Sequence, residues 1–155
     1  MIWVIGAGGH AKVVAETALA AGSTVAGFLD DDPAKQGTHL LGLRVEGPIL
    51  AGMTRLGVYR WVLGIGDNRV RRHLVEQGLP GEPISLVHPS AVLSSSAKIG
   101  LGSVVFAGAI VQAEAQIGAH VVLNTRATVE HDVVVGDFAH VAPGAVLLGA
   151  AEVGQ

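Results

Sequence analysis

From about residue 90, branched apolar residues recur at Leu93, Ile99, Val105, Val111, Ile117, Leu123, Val129, Val135, Val141, Leu147 and Val153, and every gap is six. Two places before each stands a small or β-branched residue: Ala91, Ala97, Ser103, Ala109, Ala115, Val121, Ala127, Val133, Ala139, Ala145 and Ala151. A longer period overlies this one, because Gly100, Gly118, Gly136 and Gly154 are eighteen apart. Neither the 3.6 of an α-helix nor the 2.0 of a strand yields a period of six. A parallel β-helix built from hexapeptides does, with three hexads closing one triangular coil. Its coils stack at the ordinary strand spacing of about 4.8 Å. The large residue of each hexad fills the prism, and the small one lets the chain turn a corner.

The first half follows another rule. Ile2–Ile5 reads as a strand, residues 6–10 as a glycine turn, and Ala11–Ala21 as a helix ending at Gly22. Thr24–Leu29 is a second strand closed by Asp30, Asp31, Asp32 and Pro33. Trp61–Ile65 is a third, followed by Gly66, Asp67 and Asn68; a charged helix over Arg69–Gln77 and a strand over Ile84–Val87 come next. Alternation of strand, turn and helix predicts a small parallel sheet with crossover helices. The pattern therefore divides the chain into a Rossmann-like α/β domain over residues 1–88 and a β-helix over 89–155.

Composition narrows the possibilities. Half of the 155 residues are hydrophobic and only 15% are charged, which supports a packed core and argues against disorder. Aromatics make up 4%, so Val, Ala, Leu and Ile must build that core. A net charge of -3 gives no reason to expect nucleic acid or an anionic membrane as partner. Cysteine is absent, which removes disulfides, thiolate zinc sites and a cysteine nucleophile. The N-terminus carries no basic leader, and no apolar run reaches the roughly 18 residues of a spanning helix. A cytoplasmic protein is the expectation. The sequence stops at Gln155 without a capping segment, and a repeat fold exposes apolar surface at an uncapped end, so a piece of a longer chain is expected.

Candidate chemistry collects in two places. The turn Gly6-Ala7-Gly8-Gly9-His10-Ala11 follows a strand and opens a helix, where free N–H groups and the positive dipole end favour a phosphate. Taken alone, this pattern also fits a tight strand–helix turn with no ligand. Asp30 and Asp31 end the second strand, where an acidic residue contacts a ribose or base; a solvated turn is the alternative. Gly66, Asp67 and Asn68 follow the third strand and belong to the same carboxyl edge of the sheet. In the repeats, His131 stands two places after interior Val129, and His140 immediately precedes interior Val141, so both point outward. His131 beside Asp132 has the make-up of a general base with its supporting carboxylate. No third ligand at metal spacing accompanies the two histidines, so no metal is expected.

These residues form a series: G-A-G-G-H at 6–10, D-D-D-P at 30–33, G-I-G-D-N at 64–68, H-P-S-A-V at 88–92, and N-T-R-A-T-V-E-H-D-V-V-V-G-D-F-A-H-V-A-P-G at 124–144. The series resembles the bacterial sugar O- and N-acetyltransferases of the sialic acid O-acetyltransferase family, over the whole chain. That resemblance implies a left-handed β-helix, a homotrimer, acetyl-CoA bound between neighbouring β-helices and a nucleotide-linked amino sugar held by the N-terminal domain. It implies His131 as general base with Asp132 in support, and His140 and Gly149 beside the acetyl-CoA thioester. Gly8, Gly9, His10, Asp30 and Asp31 match its nucleotide-contacting turns. Gly149 also lies eighteen residues after His131, one coil on and on the same face. Two other readings stay open: a nucleotide-sugar-binding module without catalysis, and a nicotinamide-dependent oxidoreductase, which leaves the β-helix unexplained.

Overall fold

The computed structural model describes residues 1–154, which divide into two compact units, Met1–Ile84 and a second that begins at Ser85. In the first unit the order is β1 (Ile2–Ile5), α1 (Gly9–Ala20), β2 (Val25–Leu29), β3 (His39–Leu40), β4 (Leu43–Glu46), α2 (Ile49–Leu56), β5 (Arg60–Leu63), α3 (Asn68–Glu76) and β6 (Glu82–Pro83). The sheet runs β3-β4-β2-β1-β5-β6, parallel except for the β3–β4 pair. From β1 the chain adds β2 on one side and β5 on the other, so the strand order reverses at β1. That reversal opens a crevice at the carboxyl ends of β1, β2 and β5.

Val4, Ile5, Phe28, Leu29 and Val62 are buried completely in this sheet, and Ala11, Val14, Ala15 and Ala18 of α1 are buried equally. Small alanines let α1 lie close to the sheet. The sequence predicts this helix from Ala11, but it begins at Gly9, with Gly6 at φ +102° making the turn. His10 therefore sits in the first helical turn rather than in a loop.

Residues 38–56 hold β3, β4 and α2, none of which the hydrophobic pattern announces. The eight-residue α2 contains Gly52, whose missing side chain is filled by Leu29: a Cβ there would come 2.5 Å from Leu29 Cδ2. Close approach to β2 thus replaces the usual helix-forming signal. The predicted strand Ile84–Val87 forms only over Leu86–Val87, and a separate strand, Glu82–Pro83, precedes it. Glu82–Pro83 pairs with β5, whereas Leu86–Val87 pairs with Val104–Val105 of the second unit. The division accordingly falls between Ile84 and Ser85 and not after residue 88.

The second unit is a left-handed parallel β-helix. Two-residue strands recur every six residues from Leu86–Val87 to Glu152–Val153, and each pairs in parallel with the strand eighteen residues on. Three faces result. The first carries Val104–Val105, Val122–Leu123 and His140–Val141; the second Ile110–Val111, Thr128–Val129 and Val146–Leu147; the third Gln116–Ile117, Val134–Val135 and Glu152–Val153. Val105, Val111, Leu123, Val129 and Val135 are at most 1% exposed, and Ala109, Ala115, Ala127 and Val133 fill the corners beside them. Each such large side chain contributes about 1.5–3 kcal/mol of burial.

The corner is turned by the residue just before the small one. Residues 102, 108, 114, 120, 126, 132, 138, 144 and 150 all have positive φ, and only Gly102, Gly108 and Gly144 among them are glycine. Side chains from neighbouring coils support these corners. Ser96 Oγ accepts from Glu114 N–H, Ser103 Oγ from Val121 N–H, and Asp137 Oδ1 from Ala119 N–H at 2.7 Å. Asp137 is thus a strut between coils, not a merely solvated surface group.

Candidate functional sites

A cleft of about 560 Å³ opens at the strand-order reversal of the α/β unit, lined by the turns after β1, β2 and β5 and by one face of α3. Of the residues singled out from sequence, Gly8, Gly9, His10, Asp30 and Asp31 line it; Asp67 and Asn68 do not. Gly8 caps α1 with no side-chain hydrogen bond, and the first turn of α1 contains no acidic residue. The backbone N–H groups and positive dipole end there face the cleft with no carboxylate in their own turn, a favourable place for an anion.

The acidic residues have structural tasks. Asp30 Oδ2 accepts from Ala7 N–H at 2.7 Å and from Lys35 Nζ at 3.1 Å, while Oδ1 accepts from Asp32 N–H at 2.9 Å. Burial pushes its pKa up, but the two backbone N–H groups and the Lys35 ammonium outweigh that and hold it below the ordinary aspartate range. Asp30 therefore ties the glycine turn to the end of β2. Asp31 Oδ1 accepts from Ile49 N–H at 2.7 Å and so caps α2, whose N-cap position is Pro48. Asp67 Oδ1 accepts from the N–H groups of Arg69 and Val70 and caps α3. An acidic residue after a strand suggests ligand contact, but here each carboxylate has a backbone donor to satisfy.

Sequence reasoning passed over Lys35, Ile49, His73 and Gln77, which also line the cleft. Val70, His73, Leu74 and Gln77 have the i, i+3, i+4, i+7 spacing of one helix face, and that spacing was the available signal. His73 Nε2 and Gln77 Nε2 lie 3.0 Å apart.

In the β-helix, His131 and Asp132 form the corner between Thr128–Val129 and Val134–Val135, where the second and third faces meet. Asp132 takes φ +60°, its N–H donates to Ala113 O of the preceding coil, and His131 O accepts from Ala150 N–H of the next. The corner is pinned from both sides. His131 Nδ1 lies 2.7 Å from Asp132 Oδ2. A carboxylate only accepts, so Nδ1 carries the proton and Nε2 keeps its lone pair. Gly149 stands over that nitrogen: a Cβ at 149 would come 2.7 Å from His131 Nε2. Both side chains of the pair are more than half exposed.

His140 lies elsewhere. It begins the strand His140–Val141 on the first face, opposite the corner that holds His131. Asn124 Oδ1 accepts from Thr125 N–H, which turns the amide nitrogen toward His140 Nε2 at 2.9 Å. The structure therefore brings His131, Asp132 and Gly149 together and leaves His140 on another side of the prism. Among the described residues no group of three or more potential metal ligands gathers, and no helix is long and apolar enough to cross a membrane.

Known proteins resemble this chain in sequence and fold. Residues 1–77 match the family model described as the PglD N-terminal domain. The UDP-N-acetylbacillosamine N-acetyltransferase of Bacillus subtilis is 39% identical over 120 residues, which is 67% of this chain and 50% of that protein. An uncharacterised protein of Acanthamoeba polyphaga mimivirus is 31% identical over 117 residues, 23% of its length. The chain thus spans half or less of these two curated relatives. Solved structures align further. A mutant perosamine N-acetyltransferase from Caulobacter crescentus, in complex with CoA and GDP-perosamine, has 36% identity and a TM-score of 0.88, covering 97% of this chain and 72% of that one. The acetyltransferase domain of PglB from Neisseria gonorrhoeae, in complex with acetyl coenzyme A, has 42% identity and a TM-score of 0.88, covering 97% and 74%. With relatives of this identity covered over more than two thirds of their length, the chain belongs to the family of sugar N-acetyltransferases.

Proposed function

We propose that the chain transfers an acetyl group from acetyl-CoA to the amino group of a nucleotide-linked sugar. The observation that carries this reading is the His131–Asp132 pair, 2.7 Å apart, with Nε2 directed at Gly149 of the next coil. In this reading the α/β cleft holds the nucleotide, with its diphosphate at the N-terminus of α1 beside Gly8, Gly9 and His10. The relatives bound to CoA, acetyl-CoA and GDP-perosamine support both ligands.

The chemistry follows from the groups present. The sugar amine attacks the thioester carbonyl carbon, and its excess proton passes to His131 Nε2. Asp132 holds the ring in the accepting tautomer and stabilises the imidazolium that forms. The carbonyl oxygen becomes an oxyanion, for which a backbone N–H such as that of Gly149 is the suited donor. Collapse breaks the C–S bond, and the proton on His131 returns to the departing CoA thiolate. No covalent enzyme intermediate is needed.

The acceptor and donor sites are proposed to close between copies in a homotrimer. His131 and His140 occupy different sides of one prism, so a single acetyl-CoA touches both only where two copies meet. The second face offers an apolar surface for that contact, with Val92 62% and Val146 57% exposed. We place the protein in the cytoplasm, where acetyl-CoA and nucleotide sugars are made. Thiol release from acetyl-CoA, measured against UDP- and GDP-linked 4-amino sugars, tests the reading. Turnover with at least one of them is expected. Sugar-nucleotide binding without CoA release would instead mark a non-catalytic binding module.

A further inference from the structure

Arg71 is a charged side chain buried at 1% exposure, and no step above uses it. A guanidinium stays inside a protein only when its charge and donors are engaged. Here Nη1 donates to Gly66 O at 2.7 Å and to Ile65 O at 3.2 Å. Both carbonyls belong to the turn between β5 and α3, and Gly64, Ile65 and Gly66 all line the cleft.

That turn is the abutment of the glycine turn. A Cβ at Gly64 would meet Ala11 Cβ at 2.8 Å; a Cβ at Gly6 would meet Ile65 Cγ1 at 2.7 Å; one at Gly66 would lie 3.8 Å from His10 Cγ. Three residues of one turn thus lie close against Gly6, His10 and Ala11, leaving no room for a side chain at Gly6 or Gly64. Arg71 holds that turn by the Ile65 and Gly66 carbonyls and does not itself line the cleft. Burial lowers its pKa to about 10, partly opposed by Asp67, which still leaves it charged at neutral pH.

We propose that Arg71 is a positioning residue for the anion cradle: by holding the Ile65 and Gly66 carbonyls it sets His10 and the N-terminus of α1 for a diphosphate, and it places a fixed positive charge behind them. The inference rests on the proposed nucleotide-sugar reading for its ligand, but its geometry belongs to this unit alone. Without the guanidinium, the two carbonyls lose the Nη1 donor, and the turn that backs His10 and the glycine turn is held less firmly in place.

The test compares the full chain with Arg71→Met and Arg71→Lys by calorimetry, using UDP and GDP against uridine and guanosine. Arg71→Met is expected to weaken the diphosphates at least about tenfold, the loss of one charged hydrogen bond, while nucleoside binding changes little. Arg71→Lys restores part of the loss, because the charge stays and one carbonyl keeps a donor. An equal loss for diphosphate and nucleoside, or no loss for either, overturns the proposal. The His10 ring signals in a carbon–proton correlation spectrum, identified by their absence in His10→Gln, give a ligand-free readout. They should shift in Arg71→Met while those of His39 stay in place; unmoved His10 signals also overturn the proposal. If the unaltered protein binds no nucleoside diphosphate, the nucleotide reading fails, and the His10 signals alone decide the role of Arg71. Should Arg71→Met not fold, as judged by circular dichroism, Arg71→Lys carries both comparisons.

Discussion

At the corner between the second and third faces of the β-helix, successive coils place Ser95–Ser96, Ala113–Glu114, His131–Asp132 and Gly149–Ala150 in equivalent positions. In the α/β unit no two turns around the cleft are alike, and each is tied to another by a side chain: Asp30 to Ala7, Asp31 to Ile49, Arg71 to Gly66. The first region is a lattice on which chemistry is mounted by choosing what stands at one position. The second is a mutual construction in which the groups that shape the cleft also hold it together. Function and stability should therefore separate in the β-helix and stay coupled in the cleft.

The largest expected effect tests that separation. His131→Ala removes an exposed ring from a corner whose backbone bonds to Ala113 and Ala150 remain. Acetyl transfer, followed by thiol release, should fall about 10²–10⁴-fold, the usual contribution of a general base. The melting temperature and nucleotide binding should not move. Gly149→Ala is the companion: its Cβ would press on Nε2 from 2.7 Å, so the ring must shift. A misplacement of that kind costs up to about 10²-fold in turnover, again with little change in melting. Normal turnover in His131→Ala would remove His131 from the role of base.

Inside the prism the outcome reverses. Leu123 is fully buried between coils, and Leu123→Ala should cost about 2–5 kcal/mol, read as a lower denaturation midpoint in urea. Turnover per folded molecule should be nearly retained, since no group at the His131 corner is altered. A loss of activity without a loss of stability would show the lattice to be less separable than its repetition suggests.

The same contrast explains what the sequence discloses. A period of six, with Leu, Ile or Val filling a prism, leaves its mark at every coil, so the β-helix and the outward direction of His131 are legible from spacing. The positive-φ position is not, because it holds Glu114, His120, Arg126, Asp132, Phe138 and Ala150 as well as glycines, and the preference of glycine for that region is masked. Separation of His140 from His131 is contained in the same spacing, since nine residues is half of an eighteen-residue coil. In the α/β unit, β1 and β2 stand out as apolar runs. Helix α2 does not, because it depends on Leu29 filling the space above Gly52. Asp30 and Asp31 are legible as acidic residues after a strand, but their backbone partners lie 23 and 18 residues away.

Coupling in the cleft predicts a moderate effect on two measurements at once. Asp30→Asn keeps the shape but weakens the acceptor for Ala7 N–H and removes the nearer of two carboxylates paired with Lys35. Loss of charge-assisted bonds of this kind costs about 1.5–3 kcal/mol, so melting temperature and nucleotide affinity should fall together. The acid limb of stability supplies the sign. The Asp30 carboxyl is held below its ordinary pKa in the folded protein, so its contribution is fully present above the unfolded value near 3.9 and is lost as pH falls through the folded value. Acid unfolding monitored by tryptophan fluorescence, from the buried Trp61, should be less steep in Asp30→Asn.

The smallest effect isolates the backbone of the corner. Ala150 is exposed and holds φ +59°, a region that costs a residue bearing a Cβ about 1–2 kcal/mol. Ala150→Gly removes that strain but adds chain entropy of roughly 0.5–1 kcal/mol to the unfolded state. A net gain of about 0.5–1 kcal/mol is expected, seen as a small rise in melting temperature with turnover unchanged. One coil earlier the equivalent position is Asp132, at φ +60°. Asp132→Gly relieves the same strain but deletes the oxygen 2.7 Å from His131 Nδ1. Melting temperature should therefore rise in both variants, while turnover falls only in Asp132→Gly. The pair thereby separates the carboxylate of Asp132 from the backbone conformation that both corners share.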